Sequence, residues 1–210
     1  MKVLELFSGT ESFSKVARAR GHETFTIDLD EKFHPSLVAD VGKLQVDDLP
    51  EAWRHPDIVW ASPPCNCFSV ASIWHHWCEG KKPKTADAIQ AIELVGHVLY
   101  LVQCLDPRFY FIENPMGMLR KLPVMRGWHH STVTYCQYGF PYQKKTDIWN
   151  NCYNWMPKPV CKPRASCHVR APRGSRSGVQ GAMNAKERAV IPPALCEEIL
   201  EACEQGGVSF

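Results

Sequence analysis

Apolar and polar positions along the chain follow two rhythms. Lys2–Phe7 (KVLELF) is a nearly unbroken apolar run, the pattern of a strand covered on both faces. Ser8-Gly9-Thr10 reads as a turn. Over Ser12–Arg20 the period lengthens, with Phe13, Val16 and Ala17 at helical spacing and Gly21 as a stop. Glu23–Ile27 is a second strand, ending in Asp28 and Asp30, and Leu37–Val41 a short third. Asp57–Ala61 (DIVWA) is a fourth and runs into Ser62-Pro63-Pro64-Cys65. Thr85 suits the cap of a helix whose apolar positions are Ala88, Ala91, Ile92, Val95, Val98, Leu99 and Val102, stopped by Pro107. Phe109–Ile112 is a fifth strand, followed by Glu113-Asn114-Pro115. Ser131–Cys136 and Asp147–Trp149 read as two more. At the other end, Pro192 and Pro193 open a helix with Leu195, Ile199, Leu200 and Cys203 on one face and Gly206 past its end.

Strands alternating with helices predict an α/β chain with an open, largely parallel sheet flanked by helices. Ligands of such sheets bind beyond the carboxyl ends of the strands. Those ends carry Ser8-Gly9-Thr10, Asp28, Asp40, Cys65 and Glu113. Across 150–187 the apolar rhythm is lost to Pro, Gly, Arg, Lys and Cys, and 172–181 (PRGSRSGVQG) reads as loop. The expected organisation is a core over 1–149, a small irregular basic insert over 150–187, and a returning helix over 188–210.

Charge sharpens this division. The net charge of +2 conceals 7 Lys/Arg against 11 Asp/Glu in residues 1–60, and 10 against 2 in residues 141–188. That basic block is a candidate surface for a polyanion. With 45% hydrophobic and 22% charged residues the composition excludes wholesale disorder. No run of about 18 apolar residues predicts a membrane span. The start MKVLELFSGTESF lacks a signal-peptide pattern, so its ten cysteines are expected to be reduced thiols of a cytoplasmic protein.

Three strand ends carry chemistry. A glycine turn such as Phe7-Ser8-Gly9-Thr10 lets backbone approach a bound cofactor. Asp28 suits ribose hydroxyls and Asp40 an adenine amino group, although a plain turn and a capping Asp fit the same residues. In Ser62-Pro63-Pro64-Cys65-Asn66-Cys67-Phe68-Ser69, two prolines present Cys65 at a fixed angle, as a thiolate, a metal ligand or filler. In Phe111-Ile112-Glu113-Asn114-Pro115, a carboxyl kept protonated by burial can donate to a heteroaromatic nitrogen.

In this order and spacing the motifs resemble those of the cytosine-C5 DNA methyltransferase family. FSGT resembles its first cofactor motif, SPPCNCFS its Pro-Cys motif, and IENP its Glu-Asn-Val motif. TYCQYGFPYQKKTDIW resembles the segment that follows, and AVIPPALCEEIL the last motif, a helix that returns to the cofactor. The resemblance covers about residues 2–149 and 188–203. It implies a Rossmann-like fold that binds S-adenosylmethionine through Phe7, Ser8, Gly9, Thr10, Asp28, Leu29, Asp40, Val41 and Pro63. It implies Cys65 as the thiolate that adds to cytosine, Glu113 as the group holding the base, and Lys144 or Lys145 as a contact to base or phosphate. The partner is then double-stranded DNA with a flipped-out cytosine, and the setting the cytoplasm of a bacterial or phage-infected cell. The loop through Trp74, His75, His76, Trp77, Lys81, Lys82 and Lys84 would close over the DNA. Acceptance of RNA or a free cytosine nucleotide, or impaired catalysis in a DNA-binding protein, are the alternatives.

The chain departs from the family pattern at Glu11, where a second glycine is usual, at Pro115, and at Arg188-Ala189-Val190, where an Asn is usual. About 38 residues replace a long recognition region, which points to phosphate contacts over base readout and to short or relaxed specificity, or to help from a protein partner. Within the insert, Cys152, Cys161, Cys167 and His168 are candidate ligands of a structural zinc, although no standard C-x2–4-C pair is present. Cys78, Cys104, Cys136, Cys196 and Cys203 are expected to fill space.

Overall fold

The computed structural model describes residues 1–162, 165–170 and 185–206. The 172–181 loop lies outside them. Seven strands form one sheet: β1 (Lys2–Leu6), β2 (Glu23–Asp28), β3 (Leu37–Val38), β4 (Ile58–Ala61), β5 (Phe109–Pro115), β6 (His130–Thr134) and β7 (Lys145–Asn150). Their order is β3-β2-β1-β4-β5-β7-β6. β1 to β5 are parallel, β7 is antiparallel to β5, and β6 antiparallel to β7. The sheet is therefore mixed, and its parallel part matches the sequence expectation.

Both faces of the parallel strands are covered, and the period of two sorts their side chains. Leu4, Leu6, Val59, Ala61 and Ile112 face helix α3 (Ala86–Leu105). Val3, Ile58, Trp60, Phe109 and Phe111 face the opposite layer of α1 (Ser12–Ala19) and α5 (Pro193–Gln205). There Phe13 stacks on Trp60 at 4.4 Å between ring centroids. The Thr85 hydroxyl accepts from the amide of Ala88 and caps α3, as its position predicts. By length and composition α3 could cross a membrane, with a mean hydropathy of 1.5. It instead buries Ala88, Val95, Val98, Leu101 and Leu105 against the sheet.

Several strands end elsewhere than their patterns predict: β3 keeps only Leu37–Val38 of the expected Leu37–Val41, and β7 outruns Asp147–Trp149 at both ends. β5 continues through Glu113, Asn114 and Pro115, because β7 pairs with it as far as Thr146 opposite Pro115. β6 stops at Thr134, and Tyr135–Tyr138 tightens into a 3-10 turn closed by Gly139 at φ 92°. The remaining helices are short: α2 (Ile73–His76) and α4 (Ala185–Ala189).

Candidate active site

The chain runs outward from β1 to β2 and β3, then returns to lay β4 on the other side of β1. At this reversal the loops after β1 and β4 diverge and leave a crevice. A cleft of about 600 Å³ opens there. One wall is Phe7, Ser8, Gly9 and Thr10, the other Pro63 and Cys65, with Glu113 and Lys144 at the end of the β5–β7 pair.

The Cys65 loop is held from three sides. The side-chain amide of Asn114 donates to the Pro63 carbonyl at 3.0 Å. The Trp77 indole N–H donates to the Cys67 carbonyl at 2.7 Å. The Met118 amide donates to the Phe68 carbonyl at 2.8 Å. Gly117 permits the last contact, since a Cβ there would stand 2.1 Å from the Phe68 carbonyl oxygen. Cys65 remains half-buried and faces the cleft. Burial first, and then the Glu113 carboxylate, push its thiol above the ordinary cysteine value, while Lys144 and Arg188 pull it down.

Glu113 is 6% exposed, so its carboxyl is buried at the end of the cleft. The Tyr135 hydroxyl donates to its Oε1 at 3.0 Å, and Lys144 Nζ stands 3.5 Å from the same atom. Lys144 also donates to the Arg188 carbonyl at 3.0 Å and lies 4.6 Å from the centre of the Tyr135 ring. Burial, with Glu113 next, raises the Tyr135 hydroxyl well above its usual value, which keeps it a donor. Tyr135 has no role in the sequence reading, although it stands in the quoted TYCQYG segment. Arg188, Ala189 and Ile191 line the cleft, and the Ile191 amide donates to Ser12 Oγ at 3.2 Å, which brings the C-terminal segment back to the glycine turn.

The other proposed cofactor residues sit differently. Asp28 accepts from the Gly9 amide at 2.8 Å and the Asp30 amide at 2.9 Å, so its carboxylate shapes the turn and stands beside the cleft wall. Leu29 is 69% exposed, and Val41 is in the core. Asp40 is exposed and accepts from the Gly42 amide at 3.0 Å. None of these four lines the cleft. Glu5, which the sequence reading passed over, does. Glu11 occupies a left-handed position at φ 54°, the conformation that favours glycine, and its carboxylate pairs outward with Arg18 at 2.7 Å. It leaves the turn open to a ligand.

In the loop after Cys65, Trp74, His75, Lys81, Lys82 and Lys84 are exposed. His76 and Trp77 are instead buried, His76 by Thr85 at 2.8 Å, so they anchor this loop to the core. The cysteine grouping also needs correction. Cys161, Cys167 and His168 converge with Cys136, and Cys152 lies apart from them beside Asn154 and Cys203. Cys136 thus stands with these three side chains, and Cys78 and Cys104 are exposed and fill no core space.

No protein-family model matches the chain. A curated viral protein, "Probable DNA (cytosine-5)-methyltransferase" of Frog virus 3 (isolate Goorha), is 30% identical over 97% of this chain and 100% of its own length. A solved structure described as a "putative DNA modification methyltransferase encoded within prophage" (E. coli) superposes with a TM-score of 0.52 at 19% identity. It shares 77% of this chain, which spans about half of that protein (52%). At that identity the likeness is one of fold, the Rossmann-like open sheet of methyltransferases.

Proposed function

The chain belongs to the cytosine-C5 DNA methyltransferase family, and from that premise we propose that it methylates carbon 5 of cytosine in DNA. The observation that carries this reading is the convergence of Cys65, Glu113 and Lys144 on one cleft whose opposite wall is a glycine turn. The turn suits S-adenosylmethionine. Gly9 takes φ 45°, and the buried Ser8 Oγ, which lines the cleft, has no hydrogen-bond partner among the described residues. Phe7, Ser8, Gly9, Thr10 and Pro63 would hold this cofactor, with Asp28 bracing the turn from behind. When bound, it supplies an electrophilic methyl group to the activated carbon.

Carbon 5 of cytosine is a weak nucleophile. Cys65, as thiolate, adds to carbon 6, forms a C–S bond, and makes carbon 5 enamine-like. Glu113 meets N3 and the exocyclic amine and stabilises the charge that develops there. Tyr135 fixes the Glu113 carboxyl, and Lys144 supplies a positive charge beside it. After methylation, solvent water takes the carbon 5 proton; the freed electron pair forms the 5,6 double bond as the C–S bond breaks, which expels the Cys65 thiolate and restores the ring. The reacting carbons of a stacked base are out of reach, so the cytosine must leave the duplex.

Transfer of tritiated methyl groups tests the proposal, with duplex DNA, single-stranded DNA, RNA and dCTP compared as acceptors. Duplex DNA is the expected acceptor, and Cys65→Ala is expected to lower incorporation by at least about a thousandfold. Unchanged incorporation in Cys65→Ala would remove Cys65 as the nucleophile. Preference for RNA or dCTP would shift the substrate.

A further inference from the structure

We propose that Cys136, Cys161, Cys167 and His168 form a structural zinc site that fastens the short insert to the catalytic core. Their ligand atoms all lie within 4.8 Å of one another. The Cys161 and Cys167 sulfurs are 3.2 Å apart, and His168 Nδ1 is 3.5 Å from each. Ligand atoms around a tetrahedral zinc stand about 3.3–3.8 Å apart, given bonds of about 2.0–2.3 Å. Three thiolates and one imidazole complete that coordination, which marks the site as structural, with no open position for catalysis.

The surroundings support the ion. Gln137 Nε2 donates to the Cys167 sulfur at 3.4 Å, the kind of outer hydrogen bond that holds a metal-bound thiolate in place. The Cys161 amide donates to the Thr134 hydroxyl at 2.9 Å, at the end of β6. The Val169 amide donates to the Pro141 carbonyl at 2.8 Å, so the chain on both sides of the cluster is docked. These bonds face the cluster toward the turn that carries Cys136.

The site lies where a staple is needed. The insert is basic and offers little apolar surface for a core of its own, so ordering it needs another source of free energy. Cys136 follows Tyr135, the donor to Glu113, and so the ion would join the insert to the turn that positions the carboxyl. On binding, three thiols lose protons to solvent and form three Zn–S bonds, with no change of oxidation state. The proposal is independent of which methyl acceptor the protein uses.

Metal analysis of the full chain, expressed in zinc-supplemented medium and purified without chelator, tests it. The expected result is about one zinc per chain. Exchange for cobalt(II) should give the intense visible bands of a tetrahedral thiolate centre. Zinc should fall to a small fraction in Cys136→Ser and stay at the parent level in Cys152→Ser, which separates this ligand set from one confined to the insert. Cys167→Ser, at an exposed position, gives the same loss without disturbing the core should Cys136→Ser fail to fold. A chain that holds neither metal overturns the proposal. So does a Cys161–Cys167 disulfide found by peptide mass spectrometry, or full zinc retention in Cys136→Ser or Cys167→Ser.

Discussion

The Glu5 carboxyl sits at the foot of α1, 3% exposed, and accepts from the amides of Phe13 at 3.4 Å and Ser14 at 2.8 Å. It does the capping that Glu11, whose side chain makes no cap bond, leaves undone. Burial dominates these bonds and raises its pKa from 4.5 to about 7. A carboxyl raised in this way favours the folded state while both states are protonated, below pH 4.5. That contribution is lost as the pH climbs through about 7. The shift corresponds to about 3 kcal/mol. Glu5→Gln, which mimics the protonated acid, is therefore expected to gain about 3 kcal/mol on the parent protein between pH 4.5 and 8. Denaturant unfolding at several pH values measures this, and a difference that stays constant with pH would contradict the assignment. At the residue scale the sequence exposed only part of the site. Cys65 and Glu113 announce themselves by following buried strands. Glu5 and Tyr135 act through contacts made only in the fold, and neither has a local signal beyond its place in an apolar run.

Among elements, the cleft depends on how closely the Cys65 loop meets the segment after β5. Gly117 touches the Phe68 carbonyl, so its lack of a side chain is a condition of that approach. An alanine there cannot be absorbed by rotating a flexible side chain, because the obstacle is backbone. Gly117→Ala is expected to cost about 1–3 kcal/mol as an overpacked contact. The displacement would also reach Cys65, which stands three residues before Phe68, and lower kcat about tenfold or more. Parallel measurements of unfolding and methyl transfer check both effects. Parent-like kcat in a folded variant would show that the loop tolerates the shift. The parallel strands and the long helix were legible because their burial is written as period and run length. The β5–β7–β6 order was not, since antiparallel pairing between distant segments depends on tertiary packing. Glu113-Asn114-Pro115 likewise reads as a strand's end, because these types are depleted in strands, yet β7 pairs alongside and continues β5 through them. The cysteine cluster escaped for a related reason: Cys136 lies 25 positions before Cys161, outside any local spacing rule.

At the scale of the whole molecule, charge is segregated along the chain, and the fold sets part of it beside the cleft. Lys144 and Lys145 line the cleft, and Lys158, Lys162 and Arg170 of the insert are exposed. With so few residues available to reach base edges, affinity for a duplex should come mainly from phosphate contacts and the counterions they release. For about four contacts, the slope of log K against log salt is about −3.6, roughly a hundredfold loss of affinity between 50 and 200 mM salt. Replacing Lys158, Lys162 and Arg170 together by Gln is expected to lower the steepness of that slope by about three. The loss should be equal on duplexes of different sequence, because phosphates carry no sequence information. Fluorescence anisotropy titrations across a salt series, on two unrelated duplexes, measure both quantities. An unchanged slope would place the phosphate contacts elsewhere on the molecule. A loss confined to one duplex would mean that these side chains read bases, and that the short insert supplies the specificity its size and charge argue against.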